Sequence, residues 1–400
     1  MNCSNGRRRR DKGQPPQWPG YRARGLDCPK RVAIGVRAWF TRLGLLARPF
    51  DGRTADYAIL RATPAFILLI LSATACSPLA TDADILPLAL RQMMEVLSRW
   101  WWPLLLAFLL LFLPGYWLCC ALLPRANLDA PTRLALALSL SILALPLLLL
   151  WTTTLGLRLS PFWAKALLLV PAALLTAAAW RARRNQVNPR RSLRLYGVIP
   201  DPYLLALGGI LALTLAVRYM QIRDLALPAW VDSVHHALIA RLIADEGRLA
   251  SSYQPFLPVE AFTRHFGFNA LVAWLHWLSG VSVPQAILLL GQLLNALSIL
   301  PVYALVTRLT GNRLAGVIAS LVTGLISTMP AYYVSWGRYT HLTGMVVLPA
   351  ALLILMMALE RPQREARSLG LAALATTGLF LNHYRVFVFY LAFALVYLLY

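Results

Sequence analysis

The side chains best suited to chemistry lie together in the segment PAWVDSVHHALIARLIADEG, residues 228–247. Asp232, His235 and His236 are separated by three and four positions, so a helix that begins near Asp232 places all three at one end of one face. A carboxylate can take a proton from a hydroxyl, and an imidazole can exchange protons or bind a metal. Gly247 is suited to end this helix, because glycine readily adopts the left-handed conformation that follows a helix.

Two later segments, SWGRYTH and LNHYR, carry further arginine, histidine and aromatic side chains. A guanidinium group can hold a phosphate through parallel N–H donors, and the faces of Trp and Tyr can pack against a sugar ring. We predict that these segments and the two histidines of the first segment bind a substrate. The predicted binding residues are His235, His236, Arg338, His341, His383, Arg385, Trp336 and Tyr339.

Each of these side chains also has a simpler interpretation. Asp232 could cap its helix by accepting hydrogen bonds from the amides of the first turn. The arginines could anchor the protein by extending to the headgroups, and the aromatic residues could belong to the belt at the membrane surface. A divalent metal ion held by Asp232 and His236 is a further alternative, and the spacing of the residues does not choose among these possibilities.

The composition predicts an all-α polytopic membrane protein. The chain of 400 residues is 59% hydrophobic with a mean hydropathy of +0.61, and its apolar residues form long runs. The formal net charge of +22 is divided among the segments between those runs, which indicates topology and excludes a folded nucleic-acid-binding domain. The five cysteines show neither a disulfide framework nor the spacing of a zinc site.

Three regions follow from the distribution of apolar runs. Residues 1–58 form a basic cytoplasmic tail that we expect to be disordered, residues 59–202 hold the first membrane helices, and residues 203–400 form a core with an outer loop at about 221–283. The chain ends within an apolar run, so we expect the core to continue beyond it. The runs predict about ten spans: Ala62–Ala80, Trp100–Leu123, Leu134–Thr154, Pro161–Trp180, Tyr203–Met220, Pro284–Val306, Leu314–Met329, Leu342–Leu359, Gly370–Leu381 and the terminal run.

The arginines predict which loops face the cytoplasm. RARRNQVNPRRSLR contains six arginines and no acidic residue, so we place it inside. HFGFNALVAWLHWLSG is too short for the roughly 30 Å core of a bilayer and carries Trp and His, which predicts an amphipathic helix in the outer interface. With this assignment every loop with several arginines lies inside. The three polar segments then open on the extracytoplasmic face of the plasma (inner) membrane.

Several segments resemble the GT-C superfamily of membrane glycosyltransferases, which includes protein O-mannosyltransferases and lipid A aminoarabinose transferases. LPAWVDSVHHALIARLIADEGRL, YVSWGRYTHLTG and the GNR turn between two spans look like a prokaryotic branch of it, over about residues 203–400. The resemblance implies inverting transfer of a sugar from a polyprenyl-phosphate donor in the membrane. It places Asp232 at the acidic position that members use as catalytic base or metal ligand. The chain lacks a paired DxD-type acidic motif, which leaves metal dependence open.

A transporter or a non-catalytic membrane scaffold is the alternative function. Either would bind a solute at the outer polar cluster. A transporter is expected to show ionisable groups or broken helices near the middle of the membrane. Gln292 and Asn295 lie inside a predicted span and are the residues of this kind that the sequence offers.

Overall fold

The described part of the chain consists of helices and the segments that connect them. The computed structural model describes residues 82–123, 128–185, 201–259, 265–360 and 366–399. The predicted tail at 1–58 and the first predicted span, Ala62–Ala80, lie outside these residues. The helices are α1 Asp82–Leu122, α2 Ala130–Thr154, α3 Pro161–Asn185, α4 Pro202–Met220, α5 Val231–Glu246, α6 Gly267–Ser279, α7 Val283–Leu297, α8 Ile299–Thr310, α9 Arg313–Leu321, α10 Ala331–Ser335, α11 Tyr339–Leu359, α12 Ala366–Asn382 and α13 Tyr384–Leu399.

Seven helical segments of the described residues are long and apolar enough to cross a membrane, as a polytopic membrane protein requires. Each agrees with a predicted span to within six residues at either end. Helices α12 and α13 have 17 and 16 residues, fewer than the roughly 20 that a bilayer core needs. The seven segments are Ser98–Leu122, Ala130–Thr154, Pro161–Ala178, Pro202–Met220, Val283–Thr310, Arg313–Ser335 and Tyr339–Leu359.

Local sequence signals start several of these helices. Asp129 precedes α2 and accepts a hydrogen bond of 3.2 Å from the backbone N–H of Thr132. Ser282 precedes α7 in a capping box, in which its hydroxyl and the side chain of Gln285 each accept a backbone N–H of the other residue. Such caps satisfy amide groups that have no partner within the helix, so they define where each helix begins.

Helix α2 lies at the centre of the bundle and is buried along most of its length. Helix α1 approaches it closely at Gly115, where a Cβ atom would collide with the backbone carbonyl of Ala137. The backbone N–H of Gly115 donates a hydrogen bond of 2.8 Å to the hydroxyl of Ser141, which is fully buried. A side chain at Gly115 would therefore separate the two helices.

The end of the bundle formed by the starts of α2, α4 and α9 is held together by ionic contacts. Arg313 forms an ion pair with Asp201, and its Nε lies 3.5 Å from the carboxylate of Asp129. The hydroxyl of Tyr303, on α8, donates to the same Asp129 carboxylate at 2.9 Å. These contacts connect four helices at one end, which we call the ionic end.

Helix α6 differs from the sequence prediction. The segment was expected to lie in the membrane interface as an amphipathic helix, but residues Gly267 to Leu275 are all buried within the protein. The indole N–H of Trp277 donates to the carbonyl of Ala244 on α5 at 3.1 Å, and His276 Nδ1 lies 2.7 Å from the carbonyl of Val281. Trp277 and His276 therefore contact neighbouring backbone, whereas the buried indole N–H of Trp274 has no partner among the described residues. The burial of Gly267 to Leu275 makes α6 a core helix.

Candidate functional site

Helix α5 forms as predicted and brings its ionisable side chains to one place. Asp232, His235 and His236 lie in its first two turns and line the same pocket. Gly247 follows the helix with φ 68°, and its N–H donates to the carbonyl of Ile243 at 2.9 Å. The capping alternative for Asp232 is wrong, because this residue lies inside the first turn and the helix has no side-chain cap.

The chain enters α5 through a strained residue. Trp230 has φ 73° and ψ 155°, and it is the one residue other than glycine with positive φ in the described ranges. This region costs a residue with a side chain roughly 1–3 kcal/mol. Gly337 packs beside it, since a Cβ there would lie 2.7 Å from the hydroxyl of Ser233. The start of α5 and the turn before α11 are thus in direct contact.

The pocket combines all three polar segments that the sequence singled out. Its volume is about 380 Å³. Its walls come from α5, the start of α6, the start of α11 and the junction between α12 and α13, at the end of the bundle opposite the ionic end. The pocket brings together seven of the nine residues predicted for the site. The ionisable and polar lining residues are Asp232, His235, His236, Tyr253, His265, Asn269, Arg338, Thr340, His341, His383, Tyr384 and Arg385.

Three histidines of the pocket are in aromatic contact. The rings of His341 and His383 are stacked with centroids 4.6 Å apart and planes at 11°, and the ring of His265 lies 5.1 Å from His383. His383 is the single residue between α12 and α13. Gly344 allows α11 to approach it, because a Cβ there would lie 2.9 Å from that of His383.

Burial makes the imidazoles outside the predicted spans weak bases. It lowers the pKa of His236 to about 4, against the opposing effect of Asp232. Burial and the neighbouring His341, His265 and Arg385 lower the pKa of His383 to about 3. Because both rings are neutral near pH 7, they repel neither each other nor the arginines.

The two arginines of the pocket are available to an anion. The guanidinium of Arg338 lies 5.1 Å from the ring of Trp336, and that of Arg385 lies 5.7 Å from the ring of Tyr384, whose hydroxyl accepts from Arg385 Nε at 3.1 Å. Neither guanidinium forms an ion pair with a carboxylate of the described residues. With Asp232 as the one carboxylate of the pocket lining, positive charge is in excess there.

The family comparison covers most of the chain and the whole pocket. The family of unknown function DUF6541 matches residues 108–400. The chain belongs to this family. No curated protein and no solved structure matches the chain. Every residue that lines the pocket lies within the part of the chain that is shared with DUF6541.

Two predicted binding residues of this DUF6541 protein do not line the pocket. Tyr339 is fully buried, with its ring stacked on Phe268 at 4.9 Å, so it cannot touch a ligand in the pocket. Trp336 lies on an exposed rim, with its ring 4.6 Å from that of Tyr332 and 6.5 Å from that of Trp230. Tyr339 faces inward because residues 338 and 340 of the same helix turn take the positions on the pocket side.

Sequence reasoning missed His265 and Asn269 as pocket residues. The sequence places His265 in the membrane interface, because it is the first residue of the segment predicted to form an amphipathic helix. The signal for Asn269 was an amide within the apolar run of α6. The metal site predicted at Asp232 and His236 has no third protein ligand among the described residues. These residues include no group of three or more His, Cys, Asp or Glu that could hold an ion.

Proposed function

We propose that this DUF6541 protein is a membrane glycosyltransferase of the GT-C type, which transfers a sugar from a polyprenyl-phosphate donor to a hydroxyl group. The observation that carries the proposal is the pocket itself. A single half-buried carboxylate faces two arginines that have no carboxylate partner among the described residues, beside helices apolar enough to span a membrane. This combination suits a ligand with an anionic group and a lipid tail.

The arginine side of the pocket would bind the phosphate of the donor. Arg338 and Arg385 can each donate two N–H groups to phosphate oxygens, and such charge-assisted bonds are about twice as strong as neutral ones. The phosphate gains a negative charge when the bond to the sugar breaks. Donors already fixed around that oxygen therefore stabilise the transition state more than the bound donor lipid.

The α5 side of the pocket would bind the acceptor molecule, whose hydroxyl group receives the sugar. Asp232 takes the proton of the acceptor hydroxyl while the oxygen attacks the anomeric carbon of the sugar. The bond from that carbon to the phosphate oxygen breaks, and its electron pair leaves with the polyprenyl phosphate. One displacement of this kind inverts the anomeric configuration, and the products are the glycosylated acceptor, the polyprenyl phosphate and a protonated carboxylate.

The membrane arrangement supports the same proposal. Cytoplasmic placement of the arginine-rich loops puts the pocket on the extracytoplasmic face of the plasma membrane. A polyprenyl chain would then remain in the lipid while its phosphate reaches the pocket from the membrane surface. The resemblance of residues 203–400 to GT-C enzymes agrees with transfer of a sugar at this face of the membrane.

Mass spectrometry of the lipids that copurify with the full-length protein tests the proposal. We expect the wild type to retain a polyprenyl-phosphate sugar. Arg338→Ala should retain less of this lipid by a factor of about ten or more, because a charge-assisted contact is removed. Asp232→Asn should keep the lipid with its sugar attached, because binding is intact while the base is lost. Removal of a general base slows such reactions by roughly 10²–10⁴.

Arg241→Ala is the matched control. Arg241 also lies on α5, but its exposed side chain is paired with Asp245 at 2.7 Å outside the pocket. Its removal should leave the retained lipid unchanged. Bulk phospholipid alone in the wild type, or equal loss from Arg338→Ala and Arg241→Ala, would refute the proposed donor site.

A transporter is the second candidate, and one feature favours it. Arg218 is only 5% exposed in α4 and donates at 2.8 Å to the carbonyl of Gly324, within a π-helical turn, Val322–Ile326, that interrupts the span after α9. Charged groups at broken helices are typical of transporters. Asp232→Asn separates the two candidates, since a transporter should continue to move its solute whereas the transferase should stop.

A further inference from the structure

The imidazole of His236 is held in one orientation by its neighbours. Its Nδ1 lies 3.1 Å from the Oδ1 of Asn269. The rings of Phe268 and Tyr339 meet it nearly at right angles, at 77° and 81°, each with its centroid 6.0 Å away. Because these two rings are stacked on each other, His236 cannot turn without displacing packed aromatic side chains.

Asn269 is an unfavourable residue for its position unless it serves His236. It is fully buried in an apolar stretch of α6, and its Nδ2 finds no partner among the described residues. A buried amide group without a partner costs roughly 1–3 kcal/mol, which an apolar side chain of similar size would avoid. A local loss of stability of this kind is expected where a residue has a functional task.

We propose that Asn269 is a positioning residue that accepts a hydrogen bond from Nδ1–H of His236, and that the α5 side of the pocket is therefore a subsite for hydroxyl groups. With the proton on Nδ1, the Nε2 atom of His236 is left as an acceptor for the pocket. The carboxylate of Asp232, one helical turn away, is a second acceptor. Two acceptors side by side select a hydrogen-bond donor, as a sugar or alcohol hydroxyl is, and disfavour phosphate.

The opposite wall has the complementary chemistry. Arg338 and Arg385 present only donors, so an anionic group binds there and hydroxyl groups bind along α5. This division gives the ligand a direction in the pocket, with its phosphate toward α11 and α13. Naming the hydroxyl ligand as the sugar acceptor rests on the proposed transfer reaction, whereas the protonation of His236 does not.

The charged and titratable groups around His236 act in opposite directions. The hydrogen bond that His236 donates to Asn269 and the charge of Asp232 favour a second proton on the ring, while burial and the nearby imidazoles oppose it. Burial is the largest effect, and the pKa of about 4 keeps Nε2 free of a proton from pH 5 to 8. The titratable groups that face the ring are Asp232 and His235 on α5, His265 before α6, Tyr339 on α11 and His383 between α12 and α13.

Nitrogen NMR of the full-length protein with ¹⁵N-labelled histidine tests the inference, and His236→Gln assigns the signals. We expect a neutral ring with the proton on Nδ1 at pH 6. Asn269→Leu should lower the ratio of the two tautomers about fivefold, which corresponds to the loss of one hydrogen bond. Asn269→Asp should keep the proton on Nδ1 and raise the pKa of His236, because a carboxylate favours the charged ring.

Asn295→Leu is the matched control, because Asn295 is also a buried asparagine (1% exposed) but lies in α7 outside the pocket lining. It should leave the signals of His236 unchanged. Methyl glucoside should shift the Nε2 signal, and inorganic phosphate should not. A proton on Nε2, an unchanged ratio in Asn269→Leu, or a response to phosphate alone would overturn the inference. Absence of a polyprenyl lipid in the purified protein would instead count against the proposed transfer reaction and leave this result standing.

Discussion

The low pKa of His383 makes the stability of this protein sensitive to acid. Its side chain is only 7% exposed, and burial together with His341, His265 and Arg385 lowers its pKa to about 3. Below the ordinary histidine pKa of about 6.5 the unfolded chain gains a proton that the folded protein does not bind. The stability contributed by this neutral imidazole is therefore complete above pH 6.5 and is lost as the pH falls toward 3.

The size of the effect follows from the difference in proton binding. A difference of one bound proton between the unfolded and folded states changes the free energy of unfolding by about 1.4 kcal/mol per pH unit. The unfolded pKa lies about 1.5 units above pH 5. Acidification from pH 7.5 to pH 5 should therefore lower the free energy of unfolding by about 2 kcal/mol through His383. His383→Gln keeps a polar side chain of similar reach and removes this titration, so its loss of stability on acidification should be about 2 kcal/mol smaller.

Unfolding by SDS in mixed micelles at pH 7.5 and pH 5 measures this difference. Tyr384→Phe serves as the control, because it alters the ring stacked on His383, with centroids 5.7 Å apart, without removing the imidazole. It should keep the acid sensitivity of the wild type. Equal acid sensitivity in His383→Gln and the wild type would refute the assignment of a neutral, buried imidazole at this position.

Three further predictions concern separate parts of the molecule. Trp230→Gly should raise the free energy of unfolding by about 1 kcal/mol, because the residue has φ 73° and its side chain is 58% exposed; a thermal shift to lower temperature would contradict this. Arg313→Ala should lower stability by about 1–2 kcal/mol, because it leaves the partly buried Asp201 without its partner, and Arg313→Lys should recover part of the loss in the same thermal assay. Arg385→Ala should weaken the binding of farnesyl phosphate about tenfold or more, measured by calorimetry, with no change in Arg241→Ala; equal affinities would contradict the anion site.

The helices long and apolar enough to cross a membrane and the start of α5 could be predicted from the sequence, because both depend on local patterns. Apolar runs set the spans, and the spacing of Asp232 and His236 with Gly247 downstream defined α5. The joining of three distant polar segments in one pocket also followed, because the positive-inside rule placed them on the same side. These inferences required only the order, length and charge of the segments.

The environment of α6 could not be predicted in the same way. The sequence of this helix contains Trp274, His276 and Trp277. Such residues are typical both of a membrane surface and of a protein core in which their polar atoms find partners. The surrounding helices decide which of the two environments the segment has. The same reason explains Tyr339, since its neighbours on either side line the pocket while its own ring is buried. The contact between His236 and Asn269 joins residues 33 positions apart, so it depends on packing that a single sequence does not reveal.

The ionic end restricts how the protein can open. Arg313 joins the starts of α2, α4 and α9 with the hydroxyl of Tyr303, so the helices are least free to separate there. At the other end, α11 and α13 begin beside a pocket whose arginines form no ion pair with the described carboxylates. A lipid with a large headgroup would therefore enter where the starts of α11 and α13 move apart beside the pocket, while the ionic end stays in place. The distance by which these helix ends can separate would limit the size of the headgroup admitted.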